Sequence, residues 1–125
     1  MEAKIIKSFP LINRNIDKLR IFLFVYGFFL ILFSLSPGEA PESTNRTIDF
    51  SAILHFFAYF FFVLIGLFSF LKVVNKKKLV FTVFFLCIFI EIIQFYIPYR
   101  YFSIGDIIAN ILGIAGALFL FKTYL

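Results

Sequence analysis

The sequence predicts an all-α membrane protein, a bundle of four transmembrane helices with both termini in the cytoplasm. Three observations carry this. Of the 125 residues, 62% are hydrophobic and only 15% charged, where a soluble domain has roughly 45–50% and 25%. The apolar residues gather in four segments, about 19–36, 50–71, 79–98 and 104–121, each close to the ~20 residues that cross ~30 Å of hydrocarbon. The basic residues then fall almost wholly on one side of those segments.

Residues 1–18 read as a cytoplasmic N-terminal segment, and 19–125 as one membrane domain. Lys4, Lys7, Arg14, Lys18 and Arg20 precede or open the first span, Lys72, Lys76, Lys77 and Lys78 lie between spans two and three, and Lys122 follows span four. The other side carries Arg46 and Arg100 alone. Basic loops stay in the cytoplasm, so this bias orients the chain. A basic start, an apolar run and the small residues near Ser36–Ala40 also resemble a signal peptide. Its removal would leave an odd number of spans, and the expectation is an uncleaved first helix. The segment Pro37–Asp49 is rich in turn-forming residues. The short link Val73–Lys78 makes spans two and three an antiparallel hairpin, and Tyr99–Ser103 joins spans three and four outside. Without Trp, Tyr and Lys serve as the interfacial anchors.

Composition excludes several functions. Lone Cys87 permits no disulfide framework and no multi-thiolate site, and a single His permits no multi-histidine zinc site. No metal ligand set and no cofactor is assigned, because a metal would require His55, Glu91 and Asp106 to converge. The net charge of +5 sits at span ends, so the partner it implies is the lipid bilayer and not nucleic acid. The Lys76–Lys78 run is an anchor on an anionic lipid surface.

Within the apolar spans stands a row of polar residues. His55 and Tyr59 are four apart on span two, Glu91 and Gln94 three apart on span three, and Asp106, Asn110 and Gly113 follow i, i+4, i+7 on span four. Each set occupies one helix face, and the three stripes are expected to face one another. Depth supports this. Glu91 lies about 10 Å below the outer end of a span closing at Pro98, His55 about 7 Å below the same surface, and Asp106 two residues into span four. Arg100 is in the turn between. Ionisable groups in hydrocarbon are costly and mark an interior or a wet cavity. Glu91 needs Arg100 or His55 to hold a charge there, and Arg100 needs a carboxylate or phosphate. Gly113 and Gly116 are expected to let helices approach closely, with Gly66 as a matching contact. Tyr59 reads as packing, Ser103 as the cap of span four, and Cys87 as a small core residue.

The pattern His55-Phe56-x-x-Tyr59, then Glu91-x-x-Gln94-x-x-x-Pro98-x-Arg100-x-x-Ser103-x-x-Asp106-x-x-x-Asn110-x-x-Gly113-x-x-Gly116, resembles the VanZ-like family of bacterial membrane proteins over about 49–121. Members commonly carry an Asp-Lys pair shortly before the histidine. Here the lysine position is Ala52, with Asp49 six residues before His55. The resemblance implies a small multi-pass protein of the bacterial cytoplasmic membrane, in a family whose founding member is associated with teicoplanin resistance.

The expected function is an outward-facing site for an anionic lipid, such as a polyprenyl phosphate, or a lipid-linked envelope precursor. Arg100, His55, Glu91, Gln94, Asp106 and Asn110 would bind it, with Asp106 and Asn110 orienting Arg100. An alternative is a phosphoryl- or acyl-transfer enzyme on such a lipid, with His55 as acid or base and Glu91 or Asp106 positioning it. A third is a non-enzymatic accessory protein whose polar network only sets packing.

Overall fold

The computed structural model describes residues 10, 14–36, 50–70, 73–98, 100 and 103–124. The loop Pro37–Asp49 lies outside the described residues, as do Lys4, Lys7 and Lys72. Among the described residues the chain forms four helices and no strand: α1 Ile16–Leu35, α2 Phe50–Phe70, α3 Lys76–Gln94 and α4 Ile104–Tyr124. Helices are what a backbone in hydrocarbon requires, since each closes its hydrogen bonds internally. The phenylalanines and β-branched residues that weaken helices in water are here tolerated for that reason.

Helices α1, α2 and α4 are long and apolar enough to cross a membrane. Helix α3 begins on Lys76-Lys77-Lys78 and contains Glu91, which sets it apart from the other three. Asn75 caps it, its side-chain oxygen accepting the Lys77 N–H at 2.9 Å. Three cations at a helix N-terminus oppose the helix dipole. Their placement therefore serves the polar surface beyond the helix, to which lysine stems can reach.

The expected third span, 79–98, requires a correction at its end. The helix stops at Gln94, and tight turns follow, with Tyr96 N–H on Ile93 at 2.9 Å and Ile97 N–H on Gln94 at 3.1 Å. Pro98 drives this, because the residue before a proline is excluded from helical backbone by the ring. Glu91 thus lies three residues from the helix end, about 4.5 Å of rise.

Adjacent helices alternate in direction. Arg20 near the start of α1 donates to the Ser69 carbonyl at the end of α2 at 3.0 Å, and its guanidinium lies 5.1 Å from the Phe70 ring. At the opposite end, Gln94 of α3 reaches the Ser34 carbonyl of α1. The bundle therefore has a basic end, with Arg14, Lys18, Arg20, Lys76, Lys77, Lys78 and Lys122, and a second end where Arg100 is the cation among the described residues. The sequence asymmetry of charge is carried into three dimensions.

The core is built by three of the helices. Tyr59, Val63 and Leu67 form a stripe on α2, Val83 and Cys87 one on α3, and Ile114, Ala117 and Phe121 one on α4. Helix α1 is peripheral, with Leu23 as its buried residue. Its Phe24 and Phe33 are 70% and 72% exposed, a surface suited to lipid and unsuited to water.

The parallel pair α2 and α4 makes the tightest contact. A Cβ on Gly113 would strike the Phe56 carbonyl oxygen and come within 3.1 Å of the Phe60 nitrogen. Only glycine lets the two backbones meet. At Gly116 the neighbour is the Phe60 ring at 3.4 Å, an ordinary contact. Gly66 is not the matching surface that was expected, since it faces Leu79 and Leu23. Gly113→Ala should therefore lower stability by about 1–3 kcal/mol through overpacking, and Gly116→Ala by less. Thermal unfolding in detergent checks this, with comparable losses at both positions contradicting it.

Candidate functional site at the end of the bundle

The Gly113 contact fixes the register of α2 against α4, and polar pairs follow from it one turn apart. Ser51 Oγ–H faces the Asp106 carboxylate at 3.3 and 3.4 Å. One turn deeper, His55 Nδ1 is 3.0 Å from Asn110 Oδ1. Both pairs are separated by 55 residues in sequence, as parallel helices in fixed register require. Asn110 is buried, and its amide nitrogen donates to Cys87 Sγ at 3.1 Å. With its nitrogen so engaged, the Asn110 oxygen accepts, and His55 Nδ1–H donates. The other ring nitrogen, Nε2, faces Asp106 Oδ2 at 3.7 Å.

Glu91 enters from α3. It is 0% exposed, and neither carboxyl oxygen accepts a hydrogen bond from a described residue. The backbone N–H of Ser103 and the charge of Arg100 attract it, and Asp106 repels it. One ligand atom each of His55, Glu91 and Asp106 lie within 4.8 Å of one another. The convergence that a metal would require is thus present. Ser103 caps α4, its hydroxyl accepting the Asp106 N–H at 3.2 Å, and this cap orients the first turn that carries Asp106.

Two expected members go elsewhere. Gln94 is buried, but its amide donates to the Ser34 carbonyl at 2.6 Å and ties α3 to α1. Arg100 is oriented not by Asp106 and Asn110 but by the end of α1, with Nε on the Ser36 carbonyl and Nη2 on the Phe33 carbonyl, each at 2.9 Å. The physical reason is the early end of α3. The turns after Gln94, closed by Arg100 N–H on Ile97 at 3.1 Å, carry Arg100 to the carbonyls at the end of α1, where Ser36 also bonds Phe33. Among the described residues it forms no ion pair.

A cavity of about 830 Å³ lies between α1 and the first half of α2. Arg100, His55 and Ser51 supply its polar wall, and Tyr26, Leu30 and Leu54 are among its apolar residues. Tyr26 is held by its hydroxyl on the Ala58 carbonyl at 2.9 Å. His55 and Ser51 belong to both the cavity and the carboxylate cluster.

The profile of the family described as VanZ/LLP1 matches residues 9–125. The chain belongs to the VanZ/LLP1 family. No curated protein and no solved structure shows significant similarity to it. The four-helix membrane bundle is thus the architecture of this VanZ/LLP1 chain, and the polar cluster lies wholly inside the matched region.

Sequence reasoning passed over two residues of this VanZ/LLP1 site. Ser51 lies one turn before His55, and Cys87 one turn before Glu91. The i, i+4 spacing that grouped the others places both on the same faces. Cys87 is buried in the core as expected, but it also accepts from Asn110.

The geometry predicts that His55 carries its proton on Nδ1. Nitrogen-15 shifts of the ring should show this tautomer in the wild type and its loss in Asn110→Ala. That substitution should cost about 1–2 kcal/mol, the scale of interhelical hydrogen bonds in membranes. A wild-type ring protonated on Nε2 alone would contradict the assignment.

Proposed function

We propose that this VanZ/LLP1 protein binds an anionic lipid or a lipid-linked envelope precursor in the cavity between α1 and α2. The observation that carries the reading is the state of Arg100. It lines an amphiphile-sized cavity and is held by neutral carbonyls, not by a carboxylate. A guanidinium cannot discharge itself, and its planar fork matches phosphate oxygens. Carbonyls position it without cancelling its charge. The apolar wall beside it suits an acyl or prenyl chain, and the volume is in the range of ligand sites, roughly 300–1,000 Å³.

The basic end of the bundle is the cytoplasmic end by the positive-inside rule. The site then faces outward from a bacterial cytoplasmic membrane, with both termini inside. Occupancy of an outer-leaflet lipid site would alter envelope lipid state and, through it, susceptibility to glycopeptides such as teicoplanin. His55 joins Arg100 on the cavity wall, with Glu91, Asp106 and Asn110 buried behind it, while Gln94 acts by fixing the α1 wall of the cavity.

One observation favours a second reading, catalysis on the same lipid. The accepting nitrogen of His55 is held beside two carboxyl groups and at the cavity wall, an arrangement suited to proton transfer. Turnover of a polyprenyl phosphate in proteoliposomes, lost in His55→Ala, would select it over binding alone.

For the binding reading, native mass spectrometry of protein released from micelles doped with phosphatidylglycerol should show a retained anionic lipid, and phosphatidylcholine should not be retained. Arg100→Ala should weaken retention by roughly ten- to a hundredfold, the scale of about 1.5–3 kcal/mol for a hydrogen bond to a charged group. Equal retention in wild type and Arg100→Ala would refute the site.

A further inference from the structure

We propose that His55 Nε2 and the carboxylates of Glu91 and Asp106 form a binding site for one divalent transition-metal cation of the Mn²⁺ or Zn²⁺ class. The inference goes beyond lipid binding and stands without it. Its starting point is Glu91, which is wholly buried with both oxygens unpartnered among the described residues. A carboxyl group in that position gives up its hydration without a hydrogen bond from a described side chain in return. One of its oxygens lies within 4.8 Å of ligand atoms of both Asp106 and His55. Two carboxylates brought together in a low-dielectric interior repel, and Arg100 has been drawn off to the end of α1. A dication balances that pair of charges.

The distances suit an ion. Ligand atoms about 2.1 Å from a common metal lie roughly 3.0–3.4 Å apart in tetrahedral or octahedral arrangement, so atoms that now lie within 4.8 Å of one another close around an ion by a contraction of at most roughly 1.4–1.8 Å. His55 Nε2 and Asp106 Oδ2 are 3.7 Å apart, close to this already. Adjustment of the Glu91 side chain, whose oxygens no described side chain holds, supplies the rest.

The surroundings hold the ligands in the required form. A metal-binding histidine presents a lone pair from one nitrogen and donates from the other, and its ligand carboxylates are themselves hydrogen-bonded. His55 donates to Asn110 through Nδ1, and Ser51 donates to Asp106. Cys87 fixes Asn110 in turn, so the tautomer rests on a chain running from α3 to α4 to α2. One imidazole and two carboxylates favour Mn²⁺, Fe²⁺ or Zn²⁺ over Ca²⁺, which takes six to eight oxygens. Three protein ligands leave coordination positions open, and His55 and Ser51 connect the cluster to the cavity.

The test is retention of Mn²⁺ by full-length protein in a neutral detergent with no anionic lipid added. After dialysis, elemental analysis should find about one ion per chain. Pulsed electron paramagnetic resonance should show nitrogen-14 modulation from a coordinated imidazole. Glu91→Gln and His55→Ala should each weaken retention by at least about tenfold. Should either variant aggregate, the nitrogen modulation of the wild type decides alone. No ion above the detergent blank, an ion without imidazole modulation, or equal retention in a well-folded His55→Ala would overturn the site. An ion held in this lipid-free preparation supports it even if Arg100 proves to bind no lipid.

Discussion

The structure depends on the backbone contact between α2 and α4 at Gly113. Two helices that meet at a glycine have a fixed separation and a fixed register, because any larger residue would strike the Phe56 carbonyl. In a membrane no hydrophobic force distinguishes one helix pairing from another, so close packing and interhelical hydrogen bonds must do so. Here the close contact sets the register, and the hydrogen bonds read it out. Ser51 meets Asp106 and His55 meets Asn110 at the same sequence offset of 55. Further down the same pair, Phe68 packs edge-on against Phe121 at 5.5 Å.

Helix α3 then closes the site from a third side, and α1 makes the cavity. Glu91 reaches the cluster because α3 contributes Val83, Cys87 and Ile90 to the buried face on the same stripe. Helix α1 is joined to the bundle by polar bonds at its two ends, Arg20 to Ser69 at one and Gln94 and Arg100 to its last carbonyls at the other, and between them by Tyr26 on the Ala58 carbonyl and the close approach of Gly27 to Phe62. The cavity opens beside this contact, along the first half of α2. The division of labour is physical. Three helices hold charged groups in one place, and the fourth supplies a partly apolar wall and places the guanidinium.

Much of this was legible in the sequence. Hydropathy and span length gave the helices, and the i, i+3 and i+4 spacings gave the faces of His55, Glu91, Asp106 and Asn110. Matching their depths anticipated that these groups meet. What spacing could not reach were contacts that depend on where a helix ends. The stop at Gln94, before Pro98, placed Glu91 near the end of α3 and delivered Arg100 to α1 in place of Asp106. Contacts between helices at unrelated positions, such as Asn110 to Cys87, carry no periodic signal, and only the packing reveals them. The family pattern covers the same residues but says nothing of which of them touch.

Glu91, a buried carboxyl with no hydrogen-bond partner among the described residues, belongs on this reading to a site completed by something other than protein. The most direct measurement is anomalous diffraction at the manganese edge from crystals of the full-length protein soaked in Mn²⁺. The account predicts a single strong peak about 2.0–2.3 Å from His55 Nε2 and from an oxygen of each of Glu91 and Asp106. Well-ordered Glu91 oxygens hydrogen-bonded to protein groups, with no anomalous peak beside them, would contradict it.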